Sequence, residues 1–231
     1  MLIVYFSGTG NTRHLAKKLA ALLNCESSSI EEKQTEVKLA QSAQVILAYP
    51  VYFSGPPKII SEFVESQTWQ NKQVFLLTTC GLMNGGAIKS MAETLKAAGA
   101  AILGGMSFQM PENIGDNALF MKVLPPSGNN KKIVKAEIGI ELLAAKIKRG
   151  DYPQKGLRMA VSTHVNSDVK MKIDETKCNH CGLCKKLCPY QEEYGTKCTL
   201  CYRCYANCPQ QAITGFGKKV VVQYTFEKEL E

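Results

Sequence analysis

Eight of the ten cysteines in this chain crowd into a short C-terminal stretch, and their spacing is suited to metal chemistry. Two runs, Cys178–Pro189 and Cys198–Pro209, each follow the pattern C-x2-C-x2-C-x3-C-P in full. Three thiolates at such short spacing can wrap one iron–sulfur cube, which takes its fourth thiolate from elsewhere in the chain. The pattern therefore predicts two 4Fe-4S clusters, which each exchange one electron at a time.

The two cysteine runs are related by a constant offset. Each cysteine of the second run lies 20 residues after its counterpart in the first, and the echo extends to the Thr-Lys pair that precedes each run. This indicates a duplicated half-module. Paired CxxC units also bind zinc, but a four-ligand zinc site explains neither the third cysteine of each run nor the prolines. The spacing therefore favours iron–sulfur clusters over zinc.

Residues 172–217 resemble the bacterial-type two-cluster ferredoxins, although Glu192-Glu193 replaces a small apolar pair. In that family the cysteine before the proline serves the other cluster, so the resemblance implies two mixed ligand sets. Cluster one is expected to use Cys178, Cys181, Cys184 and Cys208. Cluster two is expected to use Cys198, Cys201, Cys204 and Cys188.

A second group of residues suited to chemistry lies near the N-terminus, between a predicted strand and a predicted helix. The loop Ser7-Gly8-Thr9-Gly10-Asn11-Thr12 offers hydroxyls, two glycines and backbone N–H groups at a helix N-terminus, and these features bind phosphate. It lacks the lysine of a nucleoside-triphosphate loop and the third glycine of a dinucleotide-binding loop. A single phosphate monoester suits it best.

Two further loops are expected beside it, because ligands of parallel sheets bind beyond the carboxyl ends of the strands. The loop Pro50-Val51-Tyr52-Phe53 carries aromatic side chains on which a flat ring can stack. The glycine-rich loop 79–86 can bring backbone close to a ligand edge at Cys80, Gly81, Asn84 and Gly85. Together the three loops indicate flavin mononucleotide (FMN).

The elements that must position these loops alternate along the chain. Apolar runs predict strands at Met1–Phe6, Ser27–Ile30, Val45–Tyr52, Lys72–Cys80 and Ala101–Met110. Helical periodicity predicts helices at Arg13–Asn24, Pro56–Trp69, Ala87–Ala98 and Asn130–Arg149. The alternation predicts an α/β fold with a doubly wound parallel sheet, covered by helices on both faces.

Residues 1–150 resemble the flavodoxin family through the loop Ser7–Thr12 and the two loops that follow it. The resemblance implies a five-stranded flavodoxin-like sheet with non-covalent FMN, its phosphate at Ser7, Thr9, Asn11 and Thr12. The tryptophan that often flanks the flavin ring is absent from Pro50–Phe53 and Cys80–Gly86. The whole chain is similar to flavodoxin–ferredoxin fusion proteins, with a flavodoxin-like domain at 1–150, a linker at 151–171 and a small α+β ferredoxin-like two-cluster domain at 172–231.

Electron counting gives two hypotheses for the function. FMN accepts one or two electrons and each cluster accepts one, so the leading hypothesis is a carrier that passes electrons between FMN, the clusters and a redox protein. The alternative is an FMN-dependent reductase of a quinone, a nitro compound or oxygen, fed by the clusters. In the long connection Glu112–Asn130, Phe120, Met121 and Leu124 either line a substrate pocket or pack on the sheet. A flavin-sensing regulator would not need eight cluster ligands.

Composition and charge narrow the partners and the compartment. The formal charge is +8, but basic residues are spread over both halves with no stripe interleaved with aromatics, which argues against nucleic acid. No run approaches the ~18 apolar residues of a membrane span, and no charged leader precedes Met1–Phe6, so we expect a cytoplasmic protein. Four lysines either dock an acidic redox protein or form a solvated basic face, namely Lys170, Lys172, Lys185 and Lys186.

Overall fold

A computed structural model of the chain describes residues 1–82, 84–117, 122, 128–158, 170–217 and 219–229. Five parallel strands form the main sheet, in the order β2-β1-β3-β4-β5. Strand order reverses between β1 and β3, which confirms the predicted doubly wound, flavodoxin-like sheet. The strands are β1 (Leu2–Tyr5), β2 (Glu26–Ser29), β3 (Gln44–Pro50), β4 (Gln73–Cys80) and β5 (Ala101–Gln109).

Helices cover both faces of this sheet. The helices are α1 (Asn11–Leu23), α2 (Thr35–Gln41), α3 (Lys58–Ser66), α4 (Ala87–Ala97) and α5 (Asn129–Lys148). Side chains alternate along the strands, so that Ile3 and Phe75 pack under α1 and α5, whereas Val4 and Leu76 pack under α3 and α4. The central strands are buried on both faces, which explains why they read as unbroken apolar runs.

Two local features differ from the expectations. Helix α2 was not predicted, because it is short and mostly polar and contributes only Leu39 to the apolar core. Strand β3 ends at Pro50 rather than at Tyr52, because Tyr52 opens a two-residue turn and exchanges backbone hydrogen bonds with Gly55. The central residues of that turn have φ of 49° and 66°, as a type I′ turn requires.

Part of the expected linker packs on the sheet. The Gly105 N–H donates to the Pro153 carbonyl at 2.8 Å, and the Gln154 amide donates to the Leu103 carbonyl. A 3-10 turn follows at Lys155–Arg158. Because β5 is an edge strand, this segment shields backbone that would otherwise be open to another chain. Residues 159–169 lie outside the described residues, as do Phe120, Met121 and Leu124.

The C-terminal module, residues 170–229, is small and contains both helices and strands. Its strands β6 (Lys172–Ile173) and β7 (Ile213–Thr214) pair antiparallel. Its core consists of Tyr202, Tyr205, Ala206 and Ile213. This agrees with the predicted α+β class. Its short helices are α6 (Leu183–Leu187), α7 (Arg203–Ala206) and α8 (Phe226–Glu229). In the described ranges, no helix has the length and apolar character that a membrane span needs.

The C-terminal module is anchored to the segment that follows β5. The buried carboxylate of Asp116 accepts a hydrogen bond from the Tyr202 hydroxyl at 2.9 Å. It also accepts the backbone N–H groups of Gly215, Phe216 and Gly217. A buried carboxylate is stable when its oxygens are fully hydrogen-bonded, so this contact fixes the module against the carboxyl end of the sheet.

Candidate functional site

The loop between β1 and α1, residues 7–12, has the geometry of an anion cradle. Gly10 has φ of 100°, and its N–H donates to Ser7 Oγ at 3.2 Å. Thr12 Oγ1 lies 2.8 Å from Thr79 Oγ1, which ties the loop to the end of β4. These contacts hold the loop in one shape. Several of its backbone N–H groups have no acceptor among the described residues.

Four N–H groups of this loop are available to a ligand. Within the part of the chain that the structure describes, no acceptor receives the N–H of Gly8, Thr9, Asn11 or Thr12. Thr9 and Thr12 are buried, so water satisfies such donors poorly. Donors at a helix N-terminus favour a negative charge. The loop therefore fits a phosphate group.

The three predicted loops meet around one small cavity of about 30 Å³. Phe53 points elsewhere, and its ring meets that of Phe216 edge-on at 5.3 Å. Gly10, Asn84 and Gly85 also lie off the cavity wall. The predicted residues that do line it are Ser7, Gly8, Thr9, Asn11, Thr12, Pro50, Val51, Tyr52, Cys80 and Gly81.

Sequence reasoning missed part of this wall. Met110, Pro111, Glu112 and Asn113 also line the cavity. Burial raises the pKa of the Glu112 carboxyl, although two backbone N–H groups donate to its Oε1. The signal was available, because these residues follow β5 at the same edge of the sheet as the other loops.

The cavity fits one part of FMN better than the other. The donor loop suits the phosphate, as described above. A volume of about 30 Å³, however, is far below the roughly 300 Å³ or more of pockets that hold organic cofactors. The cavity is therefore smaller than the three-ring isoalloxazine. Burial also raises the pKa of the Tyr52 hydroxyl in this wall, which keeps it a neutral donor.

Four cysteines from both runs line a second cavity, of about 70 Å³. They are Cys188, Cys198, Cys201 and Cys204. The structure thus brings Cys188 from the first run to three cysteines of the second. Burial raises the pKa of Cys201 to about 11, with Arg203 opposing the shift. Cysteines bind metals as thiolates, and four of them around one cavity are the number of ligands that one cubane cluster takes.

The two half-modules share a local backbone geometry. His180 and Leu200 have φ of 54° and 53°, both in the left-handed region. Their N–H groups donate to Cys178 Sγ at 3.4 Å and to Cys198 Sγ at 3.3 Å. Because these residues are 20 positions apart, the sequence repeat is also a structural repeat. Hydrogen bonds of this kind tune iron–sulfur potentials.

The other four cysteines of the module differ in their burial. Cys184 and Cys208 pack against its small core, whereas Cys178 is half-buried and Cys181 is exposed. Ligand atoms of Glu175, Cys178 and His180 lie within 4.8 Å of one another. Oxygen and nitrogen donors therefore adjoin the first cysteine run.

The two candidate sites share a wall. A Cβ added to Gly8 would overlap the Cys201 carbonyl oxygen and would lie 2.9 Å from Cys201 Cβ. The Asn113 amide donates to the same carbonyl at 3.4 Å. A cysteine of the second cavity is thus in contact with the phosphate loop, and only glycine fits at position 8.

Models of known families match both the N-terminal and the C-terminal part of the chain. A family model described as a flavodoxin domain matches residues 2–105, and one described as a 4Fe-4S binding domain matches residues 170–192. The chain has a flavodoxin domain and a 4Fe-4S binding domain. Together these domains make it an electron-transfer flavo-iron–sulfur protein in general terms. No curated protein matches the chain.

Several solved structures are similar to the N-terminal part. A flavodoxin from the domain Archaea is 15% identical with a TM-score of 0.44, and the match covers 64% of this chain and 97% of that one. The two-electron reduced flavodoxin of Megasphaera elsdenii is 20% identical with a TM-score of 0.42, covering 59% and 98%. Rubredoxin oxygen:oxidoreductase from Desulfovibrio gigas is 16% identical with a TM-score of 0.43, covering 64% and 36%.

Proposed function

We propose that the protein carries electrons between one FMN and two 4Fe-4S clusters, and exchanges them with a redox protein in the cytoplasm. The contact between Cys201 and Gly8 is the observation that carries this proposal. It sets a cluster ligand against the loop that would hold the FMN phosphate. Two cofactor sites that share a wall are suited to direct exchange of electrons.

Each group of residues has a separate task in this proposal. The N–H groups of Gly8, Thr9, Asn11 and Thr12 bind the phosphate, and the loops at 50–55 and 81–86 enclose the ring. The eight cysteines bind the clusters as thiolates. When bound, FMN supplies transfer of one or two electrons and each cluster transfer of one. The N–H donors to Cys178 and Cys198 stabilise the charge on sulfur.

The contacts of the C-terminal module favour a carrier over a small-molecule reductase. The module lies against the phosphate loop through Cys201, and Phe216 contacts the turn residue Phe53. With the module in contact with this edge of the sheet, electrons can pass between the cofactors without a small-molecule intermediary. The exposed Cys181 and the neighbouring exposed lysines Lys185 and Lys186 instead offer a surface to an acidic redox protein.

Cofactor content tests the proposal directly. We expect one FMN and about eight iron atoms per chain in protein purified without oxygen, as two cubane clusters require. Iron, acid-labile sulfide and flavin are quantified on the same sample. A protein with zinc in place of iron, or with clusters but no flavin, contradicts the proposal.

Paired substitutions test the ligand sets. Cys188→Ala and Cys198→Ala should remove the same cluster, so the double variant keeps about four irons. Cys188→Ala with Cys178→Ala should remove both clusters. If Cys188 served cluster one instead, the two double variants would exchange these outcomes. Cys25→Ala, outside both runs, is the matched control and should keep full iron.

A further inference from the structure

Arg203 joins the cysteine cavity to the phosphate loop. It lies between Cys201 and Cys204, two of the four cysteines of that cavity. Its Nη2 donates to the Ser7 carbonyl at 2.8 Å and its Nε to the Gly8 carbonyl at 3.2 Å. One side chain of the C-terminal module thus holds the backbone of the loop on which FMN binding depends.

The other donors of Arg203 reach two more segments. Nη1 and Nη2 donate to the two carboxylate oxygens of Glu31, at 2.7 and 2.8 Å. Nη1 also donates to the Leu187 carbonyl at 3.2 Å. Glu31 follows β2, and Leu187 directly precedes Cys188. Two chain segments supply cysteines to this cavity, one ending at Cys188 and one that contains Arg203 itself. The guanidinium therefore links both segments to the carboxyl end of the sheet.

All five N–H donors of Arg203 are used in this network. Nε has one acceptor, and Nη1 and Nη2 have two each. The side chain is only 19% exposed, so the network is largely shielded from water. A planar fork of five donors matches this set of acceptors, whereas the three donors of lysine cannot.

The 20-residue repeat shows that Arg203 has no charged counterpart in the first half-module. The residue 20 positions before Arg203 is Leu183, in the same place relative to the first cysteine run. The side chain of Leu183 cannot donate hydrogen bonds. Of the two half-modules, only the second therefore carries a charged side chain at this position, and that side chain contacts the flavodoxin domain.

We propose that Arg203 is a positioning residue for electron exchange, and that it holds cluster two as the cluster next to the flavin site. This rests on the proposed function, because it assumes FMN at the phosphate loop and clusters at the cysteines. Each exchange moves one electron between the two sites, so that one is oxidised as the other is reduced, and no covalent bond forms or breaks. Cluster one, near the exposed Cys181, is then the site that meets the external partner.

The test compares Arg203→Gln, Arg203→Lys and Glu31→Gln with the exposed control Arg149→Gln. A photogenerated one-electron reductant is added to the loaded protein, and flavin and cluster absorbance are followed as they equilibrate. Loss of the guanidinium removes the donors that hold the Ser7 and Gly8 carbonyls against the module, so we expect Arg203→Gln to slow the exchange about tenfold or more relative to Arg149→Gln. Arg203→Lys and Glu31→Gln should lie between it and the wild type.

A second readout does not depend on electron transfer. Amide hydrogen exchange at residues 6–10 and 186–190 should accelerate in Arg203→Gln and Glu31→Gln, and should not change in Arg149→Gln. A loaded Arg203→Gln that exchanges electrons at the wild-type rate overturns the inference. If Arg203→Gln does not bind its clusters, an unchanged rate in Glu31→Gln overturns it. A wild-type protein that lacks flavin or clusters is instead a failure of the proposed function, and hydrogen exchange then still decides whether Arg203 holds the loop.

Discussion

At the scale of single residues, the cavity wall combines N–H groups that favour a bound anion with a carboxyl group, Glu112, whose ionised form is disfavoured by burial. The N–H groups of Gly8 and Thr9, which have no acceptor in the described part of the chain, favour an anion. Glu112, in the same cavity wall, is half-buried beside Gly81, where an added Cβ would overlap its carboxylate. A negative charge on Glu112 is therefore costly, and this residue should be sensitive to pH.

We expect Glu112→Gln to stabilise the protein at neutral pH and to have less effect in acid. The pKa of Glu112 in the folded protein is raised, chiefly by burial. Its contribution to stability is thus fully present below its unfolded pKa of about 4.3 and is lost as the pH rises through the folded value. The variant cannot ionise, so its advantage over the wild type should grow with pH.

Urea unfolding between about pH 5 and pH 8, followed by the fluorescence of the buried Trp69, measures this difference. The exposed Glu65→Gln is the control and should show no such trend. A stability difference between Glu112→Gln and the wild type that does not vary with pH would show that the pKa of Glu112 is not raised in the folded protein.

At the scale of elements, the edge strand β5 is covered by the segment 151–154, which depends on close contact with it. Strand β5 carries Gly104 and Gly105 at the point where the segment 151–154 crosses its edge. A Cβ on Gly104 would overlap the Pro153 carbonyl oxygen and would lie 2.9 Å from Gln154 Nε2. The absence of a side chain at Gly104 therefore lets this segment approach the strand closely.

Gly104→Ala should therefore destabilise the N-terminal domain by about 1–3 kcal/mol, the usual cost of overpacking. Gly128→Ala is the control, because a Cβ there meets no described residue within 4 Å and its φ is −97°. It should change stability by less than about 0.5 kcal/mol. Urea unfolding at neutral pH measures both variants, and equal stabilities would contradict the role of the segment.

The elements also show what a sequence can and cannot predict. The strands of the main sheet were predictable because β1, β3 and β4 are apolar on both faces. The cysteine runs were predictable because their spacing is local. Helix α2 was missed because its core contact is little more than Leu39. The Arg203 network was not predictable, since its acceptors at Ser7 and Gly8 are 196 and 195 residues away.

At the scale of the whole molecule, the two parts are joined by buried charge as well as by packing. Arg203 reaches from the module into the domain, and Asp116 reaches from the domain into the module. The two contacts lie on different segments and use opposite charges. Because each one is largely buried, loss of either partner leaves unsatisfied groups.

Asp116→Ala should uncouple the unfolding of the two parts. It leaves the Tyr202 hydroxyl and three backbone N–H groups without their acceptor, at a total cost of about 3 kcal/mol or more. In the wild type, Trp69 fluorescence and cluster absorbance should change at the same temperature. In the variant the cluster signal should be lost first.

Asp151→Ala, an exposed residue paired only with Lys146 among the described residues, is the control. It should keep a single transition. Coincident transitions in Asp116→Ala would show that Asp116 does not link the two parts.

The duplicated turns at His180 and Leu200 have one more consequence. The two half-modules share this backbone geometry, but the second one packs against the phosphate loop of its own chain through Cys201 and Arg203. Its side chains must suit that loop, so substitutions there should be poorly tolerated. In the first half-module, Cys181, Lys185 and Lys186 are exposed, so substitutions at Lys185 and Lys186 should be tolerated better and should alter which redox protein docks there.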